Sequence, residues 1–155
     1  MISVNDHSHF SERTETVSEQ KISAVSSRLI PTMRYQDAPA AIDWLVRAFG
    51  MEKQLVIPNP DGTIAHAQLR FGSDFIMVGT SKDDALGLKS PRELGGVTMS
   101  VYIYIPNIDE HYDRAKAAGA EMVIDLKNTD YGSREYSARD PEGHLWHFGT
   151  YLPEG

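Results

Sequence analysis

The chain has 155 residues, enough for one ordinary domain, and its 41% hydrophobic and 24% charged residues are those of a water-soluble globular protein. With no cysteine, disulfides, thiolate metal sites and cysteine nucleophiles are excluded. A formal charge of −7, from 22 acidic and 15 basic residues, argues against a nucleic-acid partner, which needs a basic face.

No apolar run approaches the roughly 20 residues of a membrane span, and no charged start followed by an apolar stretch marks a secretion signal. A cytoplasmic location with no membrane partner is therefore expected. Residues 1–27 are dominated by Ser, Thr, Glu and other polar side chains, with Ile22 and Val25 among the few aliphatics. Such a stretch buries too little apolar surface to offset the entropy of ordering, and is expected as a polar N-terminal tail. His7 and His9 stand two apart within it, but a metal site needs further fixed ligands, so none is expected there.

From Arg28 the pattern becomes regular. Leu29 to Gln36 reads as a strand, followed by Asp37-Ala38-Pro39, a helix start with Asp as cap and Pro in the first turn. Ile42, Leu45, Val46 and Phe49 recur at helical spacing, and Gly50 closes the helix. Met51 to Pro58 is a second strand, Asn59-Pro60-Asp61-Gly62 a turn, and two more strands follow at Ile64 to Phe71 and Phe75 to Gly79.

Residues 81–96 have linker composition, with Gly87, Pro91, Gly95 and Gly96. The order then repeats. Val97 to Ile105 alternates apolar and polar residues as a strand, Asn107 caps a helix with Ile108, Tyr112 and Ala115 on one stripe, and Gly119 ends it. Strands follow at Glu121 to Leu126, Arg134 to Arg139 and His144 to Tyr151, separated by turns at Asp130-Tyr131-Gly132 and Asp140-Pro141-Glu142-Gly143.

The two halves match by arithmetic. Tyr35 and Tyr104 are 69 apart, as are Gly50 and Gly119, and Asn59 and Asn128. Val78-Gly79-Thr80 matches Phe148-Gly149-Thr150 at a separation of 70. Two copies make a duplicated pair of modules and not a solenoid, which needs about three repeats or more.

Two strand-helix-strand-strand-strand modules resemble the vicinal oxygen chelate superfamily of glyoxalase I, extradiol dioxygenases, and fosfomycin- and bleomycin-resistance proteins. The residues that carry the resemblance are Tyr131-Gly132, Arg134 to Tyr136 and Asp140-Pro141-Glu142-Gly143-His144-Leu145-Trp146-His147-Phe148, together with Ile30 through Tyr35, Ala38-Pro39-Ala40-Ala41 and Ala48-Phe49-Gly50. It implies an α+β fold in which two tandem βαβββ modules form a curved mixed-sheet cup, with helices outside. The domain then spans 28–151, as module 1 (28–80), the linker (81–96) and module 2 (97–151). A homodimer is expected on the same analogy.

Metal enzymes of this superfamily take ligands from the first and last strands of each module. Laid on this sequence, those positions fall at Ile30, Met77, Ser100 and His147. A catalytic divalent ion needs about three His, Asp or Glu ligands, and only His147 qualifies, so no metal is expected. Strand alternation places His147 in the cup, as a ligand contact or a general base. The same alternation nominates Thr32, Arg34, His66, Gln68, Phe75, Met77, Ser100, Tyr102 and Tyr104 as ligand-binding residues, while Arg34 and Arg70 can also be rim residues or pair with Glu135. Aromatic, amide, hydroxyl and basic groups together suit a small organic molecule with a flat part.

The expected function is that of a metal-free protein of the glyoxalase/bleomycin resistance type that binds or sequesters an antibiotic or another aromatic or amphipathic compound. The alternative is a lyase, isomerase or dioxygenase with one divalent metal ion on an atypical set such as His66, His147 and Glu135. A third reading is a protein–protein module whose cup is filled by its own chain.

Overall fold

The computed structural model describes residues 28–155; the expected tail and the His7–His9 pair lie outside the described residues. The elements run β1 (Thr32–Tyr35), α1 (Ala38–Phe49), β2 (Glu52–Pro58), β3 (Ile64–Phe71), β4 (Asp74–Thr80), α2 (Pro91–Leu94), β5 (Ser100–Tyr104), α3 (Ile108–Ala117), β6 (Glu121–Asn128), β7 (Arg134–Arg139) and β8 (Leu145–Gly149). No helix among them is long and apolar enough to cross a membrane.

Local chemistry sets the helix ends. The Asp37 carboxylate accepts from the Ala40 N–H at the start of α1, and Gly50 ends it at φ 79°, where its N–H reaches the Val46 carbonyl. Helix α3 departs from expectation in its first turn. Asn107 makes no side-chain bond to the helix backbone, and its amide donates to Glu110 instead. The linker also departs, because Ser90-Pro91 starts the short helix α2. The Ser90 hydroxyl accepts from the Glu93 N–H, and Pro91 takes a first-turn place that needs no donor. Strands β1 and β5 are shorter than their alternating patterns, since pairing begins only at Thr32 and Ser100.

Each module forms one four-stranded sheet, in the orders β1-β4-β3-β2 and β5-β8-β7-β6. The first and last strands of each module run parallel, and the other pairs are antiparallel. Parallel register sets Thr32 beside Met77 and Tyr102 beside His147. The expected core faces hold, with Ile76, Val78, Trp146 and Phe148 all buried.

One apolar cluster spans both modules, centred on Phe49 against Trp146 and Phe148. The modules are also stitched by hydrogen bonds on the helix side. Trp44 Nε1 donates to the Ala118 carbonyl just past α3, and Arg114 donates to the Val46 and Arg47 carbonyls in the last turn of α1. Helix ends leave carbonyls without internal partners, and here each module supplies partners for the other.

The Asp-Pro-Glu-Gly turn belongs to the same seam. Asp140 is 4% exposed and accepts from the Tyr35 hydroxyl, Trp146 Nε1 and the N–H groups of Glu142 and His144. Glu142 accepts from the N–H groups of Gln36 and Asp37, at the entrance to α1. His144 Nε2 donates to the Arg34 carbonyl at 2.8 Å.

Candidate functional site

The nominated residues do not share one cavity. A cleft of about 570 Å³ joins Phe75 of module 1 to Tyr102 and Tyr104 of module 2, with Leu69 and Phe71 beside them. A second, of about 400 Å³, joins Thr32 and Arg34 to Ser100. A third, of about 160 Å³, lies within module 1 and is lined by Thr32, Arg34, His66 and Met77 under Leu86 and Leu88 of the linker. Gln68 and His147 line none of these three.

Several nominated groups are already engaged. His66 Nε2 meets Gln68 Oε1 at 2.9 Å, and the Gln68 amide donates to Gln54. Arg34 pairs with Asp84 at 3.1 Å and Arg70 with Glu52 at 2.5 Å, so neither arginine pairs with Glu135. That expectation failed because Asp84 and Glu52 lie nearer: one in the linker, the other directly across the β2–β3 ladder from Arg70. Tyr102 donates to the Tyr151 carbonyl at 2.7 Å, and burial followed by the charge of Glu135 raises the pKa of its phenol.

His147 shares a 2.6 Å hydrogen bond between Nδ1 and the Ser137 hydroxyl, its cross-strand neighbour. A serine–histidine contact becomes a nucleophile pair when a third group orients the imidazole and donors await an oxyanion. Nε2 of His147 makes no hydrogen bond among the described residues.

Parallel register also refines the metal question. The first-strand residues beside Met77 and His147 are Thr32 and Tyr102, two residues along from Ile30 and Ser100 on the same faces. Either choice leaves His147 as the sole imidazole or carboxylate among these four positions, where a divalent ion takes about three such ligands. His66, His147 and Glu135 do not converge either: among the described residues no three His, Asp or Glu side chains are grouped to hold a metal. His66 sits on β3 of the other sheet, engaged with Gln68.

Two features escaped the sequence reading. His111, not Tyr112, is the buried member of the α3 stripe, with Nδ1 to the Tyr136 hydroxyl at 2.6 Å and Nε2 to the Phe49 carbonyl at 3.0 Å. A carbonyl only accepts, so Nε2 carries the proton and Nδ1 accepts from the phenol. Burial lowers its pKa and raises that of Tyr136. Its spacing of three from Ile108 and four from Ala115 is the signal that marks it. The second is the neighbourhood of Glu135, which lies across β7–β8 from Gly149 and accepts from the Tyr131 hydroxyl.

Comparison with known proteins agrees with this architecture. A family model described as the Glyoxalase/Bleomycin resistance protein/Dioxygenase superfamily matches residues 28–148. An uncharacterized protein of Mycobacterium tuberculosis is 34% identical over 132 residues, which cover 84% of this chain and 78% of that protein. The crystal structure of TioX from Micromonospora sp. ML1 is similar at 37% identity and TM-score 0.67, covering 82% of this chain and 100% of that one. The fosfomycin resistance protein FosX from Listeria monocytogenes shares the fold, with TM-score 0.60 at 17% identity over 84% of this chain and 95% of that chain. Two βαβββ modules, the closing Asp-Pro-Glu-Gly segment and these matches place the chain in the glyoxalase/bleomycin resistance protein/dioxygenase superfamily.

Proposed function

We propose that this protein binds a small organic molecule with a flat aromatic part, as a metal-free binding or sequestering member of its superfamily. The observation that carries the reading is the cleft where Phe75 of one module meets Tyr102 and Tyr104 of the other. At about 570 Å³ it is of the size that takes a drug-sized ligand. Aromatic walls stack on a planar ligand, and the phenols and nearby backbone groups orient it. The working form is a homodimer: among the described residues β1 and β5 are edge strands of their sheets, and Ser100, Tyr102 and Tyr104 are exposed on β5, where a second copy can pack.

The test is a screen of planar aromatic compounds, neutral and cationic, by thermal shift, followed by calorimetry on Phe75→Ala and Tyr104→Ala. Each substitution is expected to weaken a discovered ligand about tenfold or more, the loss of one buried ring contact. Unchanged affinity in both variants would place the site elsewhere. Nickel, zinc, manganese and iron(II) are expected to leave the unfolding temperature unchanged. Stoichiometric binding that survives dialysis would overturn the metal-free reading.

A further inference from the structure

The linker between the modules lies against module 1 as a strap. Its Leu86 and Leu88 stand over the chamber of about 160 Å³ that Thr32, Arg34, His66 and Met77 line. Leu86 stays 71% exposed and Leu88 36%, and every residue from Lys82 to Lys89 is exposed. The strap thus covers the chamber without being packed into the core.

Both ends of the strap are fixed. The Ser81 N–H donates to the Tyr35 carbonyl at 2.8 Å, continuing the β1–β4 pairing, and buried Ser90 caps α2. Between these ends, among the described residues, one polar contact ties the strap to the sheet: the Arg34–Asp84 pair. Arg34 also donates to the Thr80 carbonyl at 3.2 Å, which holds its guanidinium at the end of β4. Asp84 organises the strap in turn, accepting from the Leu86 N–H through its carboxylate and from the Gly87 N–H through its carbonyl. Lys89 pairs with Asp83, inside the strap. The side chains of Arg34 and Asp84 are 14% and 25% exposed, whereas each side chain in the other ion pairs among the described residues is at least 36% exposed. Water screens this pair least.

Thr32, Arg34 and Leu88 also line the neighbouring cleft of about 400 Å³ that reaches Ser100. The strap is therefore a partition, with His66 and Met77 on the wall of one hollow and Ser100 on the wall of the other. We propose that residues 82–89 form a gate, latched by the Arg34–Asp84 pair, whose opening joins the two hollows into one binding space. Fixed at both ends and bonded to no strand by its backbone between them, the strap can lift its middle while both sheets stay intact. The gate stands apart from the aromatic cleft, whose walls include none of these residues.

The chain has no cysteine, so Met77→Cys places a single thiol in the chamber, and its rate of reaction with a bulky maleimide reads how often the gate opens. Asp84→Asn keeps an acceptor for the Leu86 N–H and removes the charge facing Arg34. Added to the reporter, it is expected to speed labelling about fivefold or more, as loss of a partly buried charged pair favours opening. Arg34→Gln should do the same, and the two together should give little more than either alone, as partners in one contact do. Molar salt should speed labelling of the reporter alone and leave its Asp84→Asn form unchanged. Without the reporter, the Gly87 amide should exchange its hydrogen faster in Asp84→Asn. Equal labelling rates with and without Asp84→Asn, or effects that multiply in the double variant, would overturn the gate. So would a reporter that already reacts as fast as a free thiol, or labelling that rises only in step with global unfolding in urea.

Discussion

Replacing Asp140 with Ala removes the acceptor at the centre of the seam. The Tyr35 hydroxyl, 2.6 Å from the carboxylate, and Trp146 Nε1, 3.1 Å away, both belong to side chains at 0% exposure. Both lose that acceptor in the interior once the carboxylate is gone. A stranded buried donor costs about 1–3 kcal/mol, so the two together cost about 4 kcal/mol, a large part of a domain's usual stability of about 5–15 kcal/mol. For a chain of this size that lowers the unfolding temperature by about 8–16 °C. Tyr35→Phe alone leaves the carboxylate three other donors and costs about 1–2 kcal/mol. In the double variant the stranded phenol no longer exists, so its cost falls short of the sum by about 1–3 kcal/mol. Urea unfolding of the four proteins reads all three quantities. A loss under about 1 kcal/mol for Asp140→Ala, or strict additivity in the double variant, would refute the account of the seam.

His111 makes stability depend on pH. Burial holds its folded-state pKa below the ordinary imidazole value of 6.5, so its contribution is fully present above that value and is lost as pH falls through it toward the folded pKa. Across that window stability should fall by up to about 1.4 kcal/mol per pH unit; urea midpoints at a series of pH values should show a flatter curve for His111→Gln, and parallel curves would exclude His111 as the source. Gly149→Ala should destabilise by about 1–3 kcal/mol, because the new methyl group meets Tyr102 and Glu135 inside contact distance. At Gly79, its counterpart in module 1, the nearest atom would be 3.5 Å away, so Gly79→Ala should cost clearly less, and equal melting curves for the two variants would contradict the crowding at Gly149.

Much of the fold was legible because local chemistry and tertiary packing agree. Asp37, Pro39 and Gly50 bound a helix in any context, and Ile64–Phe71 and Arg134–Arg139 fall between strong turns. The sequence stopped being informative where a residue's partner lies in the other module. Asp140 and Glu142 read as a turn, yet their carboxylates reach 105 and 106 residues back along the chain. Alternation put the nominated residues on the cup side, but it says nothing of how the two sheets meet, and that meeting divides them among separate clefts. Glu135 was read as a possible metal ligand or arginine partner, and its real neighbours were missed because the tyrosines around it come from a turn, a distant strand and the C-terminal segment.

Trp44 and Arg114 each lie seven residues after their helix cap, Asp37 and Asn107. An indole and a guanidinium thus hold the same helical position in two copies of one module, and each reaches across to the end of the opposite helix. The consequence concerns the independence of the halves. A half made alone would leave its last carbonyls facing water and its long donor without a target. Two copies of the first half would bring indole to the place a guanidinium now fills, beside Gly50. Divergence after duplication has left a pair that fits only as first with second, so cutting the chain within the linker should yield pieces that refold together and not apart.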